Sequence, residues 1–114
     1  MNDTYTFDDY QKQSKKTALY PTIGQHRVLY PTLGIADEAG EVVGKIKKVF
    51  RDKQGIFVDE DITEIKKELG DVLWYLTQIA TDLGIELKDV AKANIEKLYS
   101  RYDRGVLGGS GDNR

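Results

Sequence analysis

Between residues 62 and 83, apolar side chains recur as Ile62, Ile65, Leu69, Val72, Leu76, Ile79 and Leu83, in steps that alternate three and four. That rhythm places all seven on one stripe of an α-helix, the seam by which bundle helices pack. A strand would scatter them, because its side chains alternate between two faces. A long helix with an unbroken seam needs other helices to cover it, and the rest of the chain is read as their source.

Three further helical segments meet that need. Residues 31–50 set Ile35, Ala39, Val42, Val43, Ile46, Val49 and Phe50 on one face, with Pro31 in the first turn, where its missing N–H costs nothing. Residues 87–102 carry Leu87, Val90, Ala91, Ile95 and Leu98, all expected to be buried. Residues 5–17 are more weakly amphipathic, through Phe7 and Tyr10. Between the first two helices, "LYPTIG" and "LYPTLG" echo one another, but six residues are too few for a structural repeat.

Local signals mark the joints. Asp61 is expected to cap the third helix, with Glu64 three residues on, while Gly55 and Gly84 turn the chain on either side. Ala36, Gly40 and Gly44 recur every four residues along helix two. Glycine inside a helix costs about 1 kcal/mol relative to alanine, so a neighbouring helix is expected to approach closely there. The end of the chain, "RGVLGGSGDNR", is too rich in glycine for regular structure. No stretch reads as a convincing strand. The fold class is therefore all-α: a four-helix bundle in one domain spanning residues 1–114.

Charge and composition narrow the function. With 17 basic and 19 acidic residues the net charge is −2, which gives no support for binding a nucleic-acid backbone. The absence of cysteine excludes disulfides, thiolate metal sites and thiol nucleophiles, and suits a reducing compartment. No apolar run reaches the length of a membrane span or a signal-peptide core, so no membrane partner is expected and a cytoplasmic location is.

The seam helix also carries Glu64, Glu68, Asp71 and Asp82 along one edge. Glu68 borders the Val72 side of the seam, and Asp71 and Tyr75 lie slightly further round. Helix two repeats the spacing with Glu38 and Glu41. If the two helices run antiparallel, as a short connection favours, the two pairs face one another. Carboxylates brought so close repel, and a hard divalent cation such as Mg²⁺ or Mn²⁺ removes the conflict. A pair of solvated acidic faces would use the same spacing. On helix four, Asn94, Lys97 and Arg101 share one side. They suit either a phosphate group or the edge of the core, where alkyl stems cover apolar surface. Lys45 gives helix two a similar option.

Taken together, "DEAGEVVGKIKK", "ELGDVLWYL" and "NIEKLYSRY" resemble the E-E-x-x-E…E-x-x-D signature and the Asn/Lys/Arg segment of MazG-like nucleoside triphosphate pyrophosphohydrolases, over residues 28–104. The tail, residues 105–114, looks like that of short members from bacteria and phages. Asp37 departs from the signature, standing at its first Glu. The resemblance implies an all-α bundle completed by homo-oligomerisation, as a dimer or a dimer of dimers. It implies Mg²⁺-dependent hydrolysis of nucleoside or deoxynucleoside triphosphates to the monophosphate and pyrophosphate. The metal ligands would be Glu38, Glu41, Glu68 and Asp71, with Glu38 or Glu41 also serving as base. Asn94, Lys97 and Arg101 would contact phosphate, with Lys45 as an auxiliary cation. Tyr75 is the first choice for binding the nucleoside, ahead of His26, Tyr30 and Trp74. Glu64 and Asp82 read as surface charge or as support for the ligands. The tail either stays unstructured or folds over the nucleotide. Two rival readings are a relative acting on phosphoribosyl-ATP and a non-catalytic helical protein that dimerises through the seam.

Overall fold

The computed structural model describes residues 4–114. It contains four α-helices, α1 (Phe7–Ser14), α2 (Leu29–Lys53), α3 (Asp59–Asp82) and α4 (Leu87–Asp103), with one 3₁₀ turn at Lys15–Thr17. Among the described residues the only β-type pairing is an isolated bridge between Ile23 and His26. The expected all-α fold is what forms.

Each helix starts and stops for local reasons. At α1 the Thr6 hydroxyl accepts from the Asp9 N–H at 3.1 Å, and the Asp9 carboxylate accepts from the Thr6 N–H at 3.0 Å, a reciprocal capping box. Pro31 is the third residue of α2, in the first turn, where a backbone N–H would have no intrahelical partner and none is missed. α2 runs three residues past Phe50 and ends where Gln54 and Gly55 adopt positive φ, 57° and 81°. The Phe50 ring lies close against Gly55, a second reason for glycine there. α3 begins two residues earlier than Asp61. Val58 is the residue before the helix, and Asp61 folds back to accept its N–H at 3.0 Å while pairing with Lys53 Nζ at 2.8 Å. Asp61 therefore serves from the third helical position, not from the cap.

α2 and α3 form the dominant pair, an antiparallel hairpin closed by the turn at residues 54–58. Its register is visible in the rungs Lys53–Asp61, Lys45–Glu68 and Gly34–Tyr75. α1 crosses the far half of α3 and also packs on α4. Gln11 clasps these three elements: its amide donates to Thr81 Oγ1 and the Ile85 carbonyl, and its oxygen accepts from the Leu87 N–H at 2.8 Å. Beside it the buried Gln78 donates to Ser14 Oγ at 2.8 Å.

The seam of α3 divides into two columns. Ile65, Val72 and Ile79 are partly buried; in the other column Leu76 is partly buried too, whereas Ile62, Leu69 and Leu83 stay exposed. On α2, Val49 is buried but Val43 and Phe50 are open to solvent. α4 departs from expectation in the same way. Leu87 is buried and Ala91 and Leu98 partly so, but Val90 and Ile95 are exposed, because the described helices leave that side of α4 open. Gly40 and Gly44 also differ from the expectation, since a Cβ at either would meet no neighbouring atom within 4 Å. The close approach lies instead at Gly34.

Candidate active site

The α2–α3 register brings Glu38 opposite Glu68 and Asp71. One carboxylate oxygen from each lies within 4.8 Å of the others. Glu38 and Glu68 are half-buried at the hairpin edge and Asp71 is exposed. Burial, a hydrogen bond with Glu68 and the charges of Asp71 and Glu68 hold the Glu38 carboxyl above its ordinary range. Three converging oxygen donors around one point suit a hard divalent cation with room for water in its shell. Glu41, the fourth expected ligand, is exposed and outside the closest group. Lys45 does not stand free: its ammonium lies 3.7 Å from Glu68, where it offsets part of the cluster's charge.

Next to the acids is an aromatic wall. Tyr75 sits on the bare backbone of Gly34, so close that even one added methyl group would overlap its ring. Its neighbours Tyr30 and Trp74 lie 6.4 and 5.2 Å away between ring centroids, and Tyr20 stacks on Tyr30 at 5.3 Å. Burial and the nearby Tyr30, Glu38 and Asp37 push the Tyr75 hydroxyl up. Ile23, Tyr30, Leu33, Gly34, Asp37 and Tyr75 line a cavity of about 320 Å³ beside Glu38. Asp37, one residue from Glu38, thus faces the cavity. A larger cavity of about 510 Å³, among Tyr5, Phe7, Tyr10, Leu73 and Lys88, is mainly apolar and holds none of the expected ligands.

The four acids of the seam edge go to three different tasks. Glu68 and Asp71 join Glu38, while Glu64 pairs with Lys67 on its own helix at 3.1 Å. Asp82 accepts from the Tyr20 hydroxyl at 2.5 Å and lies 3.4 Å from Arg27. Arg27 in turn stacks 4.3 Å over the Tyr20 ring and donates to the Ala18 carbonyl. Asp82 therefore fixes the connection before α2 that supplies the aromatic wall. Trp74 donates to Thr17 Oγ1 at 3.0 Å, and His26 sits in the exposed turn after Gly24.

Asn94, Lys97 and Arg101 lie on α4, which packs on α1 and α3. Asn94 is exposed, not at the edge of the core. Lys97 and Arg101 are both engaged by Asp112, whose carboxylate accepts from each at 3.0 Å. Arg101 is only 4% exposed. The tail thus has a defined course without regular structure. Sequence reasoning missed Asp112 and Gly34, and their only signals were a lone acid in a glycine-rich run and a small residue opposite an aromatic one.

The model of the MazG nucleotide pyrophosphohydrolase domain matches residues 28–106. The chain belongs to this family. Its similarity extends beyond the domain: it is 45% identical over 111 residues to the Gene 37 protein of Mycobacterium phage L5, covering 94% of this chain and 97% of that relative. No solved structure matches. In this MazG domain the carboxylates named from the signature fall on α2 and α3, and three of the four converge.

Proposed function

We propose that the protein hydrolyses nucleoside or deoxynucleoside triphosphates to the monophosphate and pyrophosphate, with Mg²⁺ as cofactor and Mn²⁺ as a substitute. The observation that carries this reading is the Glu38–Glu68–Asp71 cluster beside an aromatic cavity, in a chain of the MazG family. Glu38, Glu68 and Asp71 would hold the metal, with Glu41 joining them by a rotation of its exposed side chain. The metal's part is to offset charge on phosphate oxygens and to acidify water.

The protein's own groups supply position. Tyr75 and Tyr30 offer flat faces to a base or sugar, and Gly34 lets that wall come close to the acids. A water oxygen attacks the α-phosphorus, the bond to the bridging oxygen breaks, and pyrophosphate leaves. The water's proton passes to a carboxylate of the pair Glu38 and Glu41. Lys97, Arg101 and Asn94 are assigned to the phosphate chain, and Lys45 to charge balance at Glu68.

Self-association belongs to the same reading. The exposed column Ile62, Leu69 and Leu83 and the open side of α4 are the surfaces a second copy would cover, giving a dimer or a dimer of dimers. No helix among the described residues is long and apolar enough to cross a membrane.

The test is pyrophosphate release from a panel of ribo- and deoxynucleoside triphosphates, with Mg²⁺ and with EDTA. Metal-dependent release that falls at least about 100-fold in Glu68→Gln and Glu41→Gln is the expected result. No release from any triphosphate sinks the reading, and phosphoribosyl-ATP becomes the next substrate to try.

A further inference from the structure

Beyond α4 the chain forms a hook. Gly105, with φ of 72°, ends the helix, and Gly109 and Gly111, at 96° and 86°, bend the segment back. Arg114 ties the bend together: its guanidinium donates to the carbonyls of Val106, Leu107, Gly108 and Gly111. Arg104 secures the Arg114 main-chain oxygen at 2.9 Å. One guanidinium spent on four carbonyls makes a preformed unit of a stretch whose composition alone favours disorder. What this unit presents to α4 is Asp112.

The match between Asp112 and the α4 cations is incomplete. Asp112 Oδ1 accepts from Lys97 Nζ and Arg101 Nη2, and the Asp112 carbonyl accepts from that same Nη2 at 2.7 Å. Both contacts to Arg101 therefore fall on one nitrogen. Arg101 Nε, the other donor of that edge, is buried and has no partner among the described residues. The Nε–Nη2 edge of a guanidinium is a two-pronged fork that suits two oxygens of one phosphate or carboxylate group, and Asp112 fills only one prong. A buried unpaired N–H is costly, so the closed hook leaves something to be gained at Arg101.

We propose that the hook is a latch on the Lys97–Arg101 strip, which Asp112 holds in the ligand-free chain and a pyrophosphate or polyphosphate group displaces. This rests on the reading of the strip as a phosphate site and adds its regulation. A phosphate group brings more negative charge than one carboxylate and has the oxygens to occupy Nε and Nη2 together. The latch yields readily because the Asp112 side chain is 78% exposed and its pair with Lys97 lies at the surface, where ion pairs are weak. Lys97, then Arg101, hold the Asp112 carboxyl below its ordinary range, so the latch carries its full charge at neutral pH.

The experiment is calorimetric titration of the full chain with pyrophosphate in EDTA, which keeps the acidic cluster out of the measurement. Asp112→Asn is expected to bind about two- to fivefold more tightly than wild type, the scale of one exposed ion pair. In wild type, pyrophosphate is expected to speed amide exchange across residues 105–114. Unchanged or weaker binding in Asp112→Asn, with affinity lost in Lys97→Met, overturns the latch but keeps the phosphate site. Affinity that Lys97→Met leaves untouched overturns both. Exchange that slows across the hook when pyrophosphate binds also overturns the latch, since it would show the hook closing on the ligand.

Discussion

Gly34 and Tyr75 show how much of the candidate site rests on single atoms. The ring lies where a Cβ at residue 34 would stand, so Gly34→Ala must either tilt Tyr75 or push α2 from α3. Overpacking of this kind costs about 1–3 kcal/mol. Thermal unfolding should show a clear drop in Tm, and a rise in KM for the nucleotide should accompany it, since Tyr75 walls the cavity beside Glu38. Tyr20 gives a second residue-scale prediction. Burial and the Asp82 carboxylate push its hydroxyl up to about 12, against which Arg27 acts only partly. The folded state therefore holds this proton more tightly than the unfolded state does. The resulting stability is complete below about pH 10 and is lost as the pH rises through about 12. Tyr20→Phe should flatten that alkaline decline. Tyrosinate absorbance at 295 nm, followed alongside helicity, checks it: an ordinary titration of Tyr20 near pH 10 would contradict the contact.

At the scale of elements, Gln11 is the side chain on which the placement of α1 against α3 and α4 depends most directly. Gln11→Ala would strand the part-buried first N–H of α4 at Leu87, at a cost of about 1–3 kcal/mol, and leave the exposed Ile85 carbonyl to water. Hydrogen exchange should quicken first in α1 and the start of α4, while the α2–α3 hairpin keeps its protection. The clasp was not legible in the sequence, because a glutamine in a polar helix carries no mark of a partner more than seventy residues away. Helices α2 and α3 were legible, since their apolar period is long and the acidic pairs share its edge. Burial was less so. The same period places Val90 and Ile95 on α4's apolar face, yet whether that face is covered depends on a neighbour the period does not name. Asp61 could be read as a cap or as a third-position acceptor, and only the backbone distinguishes them. The tail failed for another reason: composition measures apolar content, and this hook is held by arginine–carbonyl bonds.

At the scale of the whole molecule, the proposed self-association rests on the apolar side chains that α2 and α3 leave exposed. Ile65, Val72 and Ile79 find partial cover within the chain, but Leu69 is 54% exposed and Val43 on the neighbouring helix 65%. Each half-exposed leucine or valine forgoes about 1–2 kcal/mol of burial, and several of them together favour association. A charge placed among them should oppose it, because closing the interface would bury an unpaired carboxylate. Leu69→Glu is therefore expected to run as a smaller species than wild type in light scattering coupled to gel filtration. Helicity should change little at first, since Leu69 has so little to lose within its own chain. Loss of mass with helicity retained would separate association from folding, and an unchanged mass would remove this face from the interface. Because Leu69 lies beside Glu68 in sequence, pyrophosphate release by the dissociated variant carries a further consequence. Activity that returns as protein concentration rises would tie the acidic cluster to the assembled state.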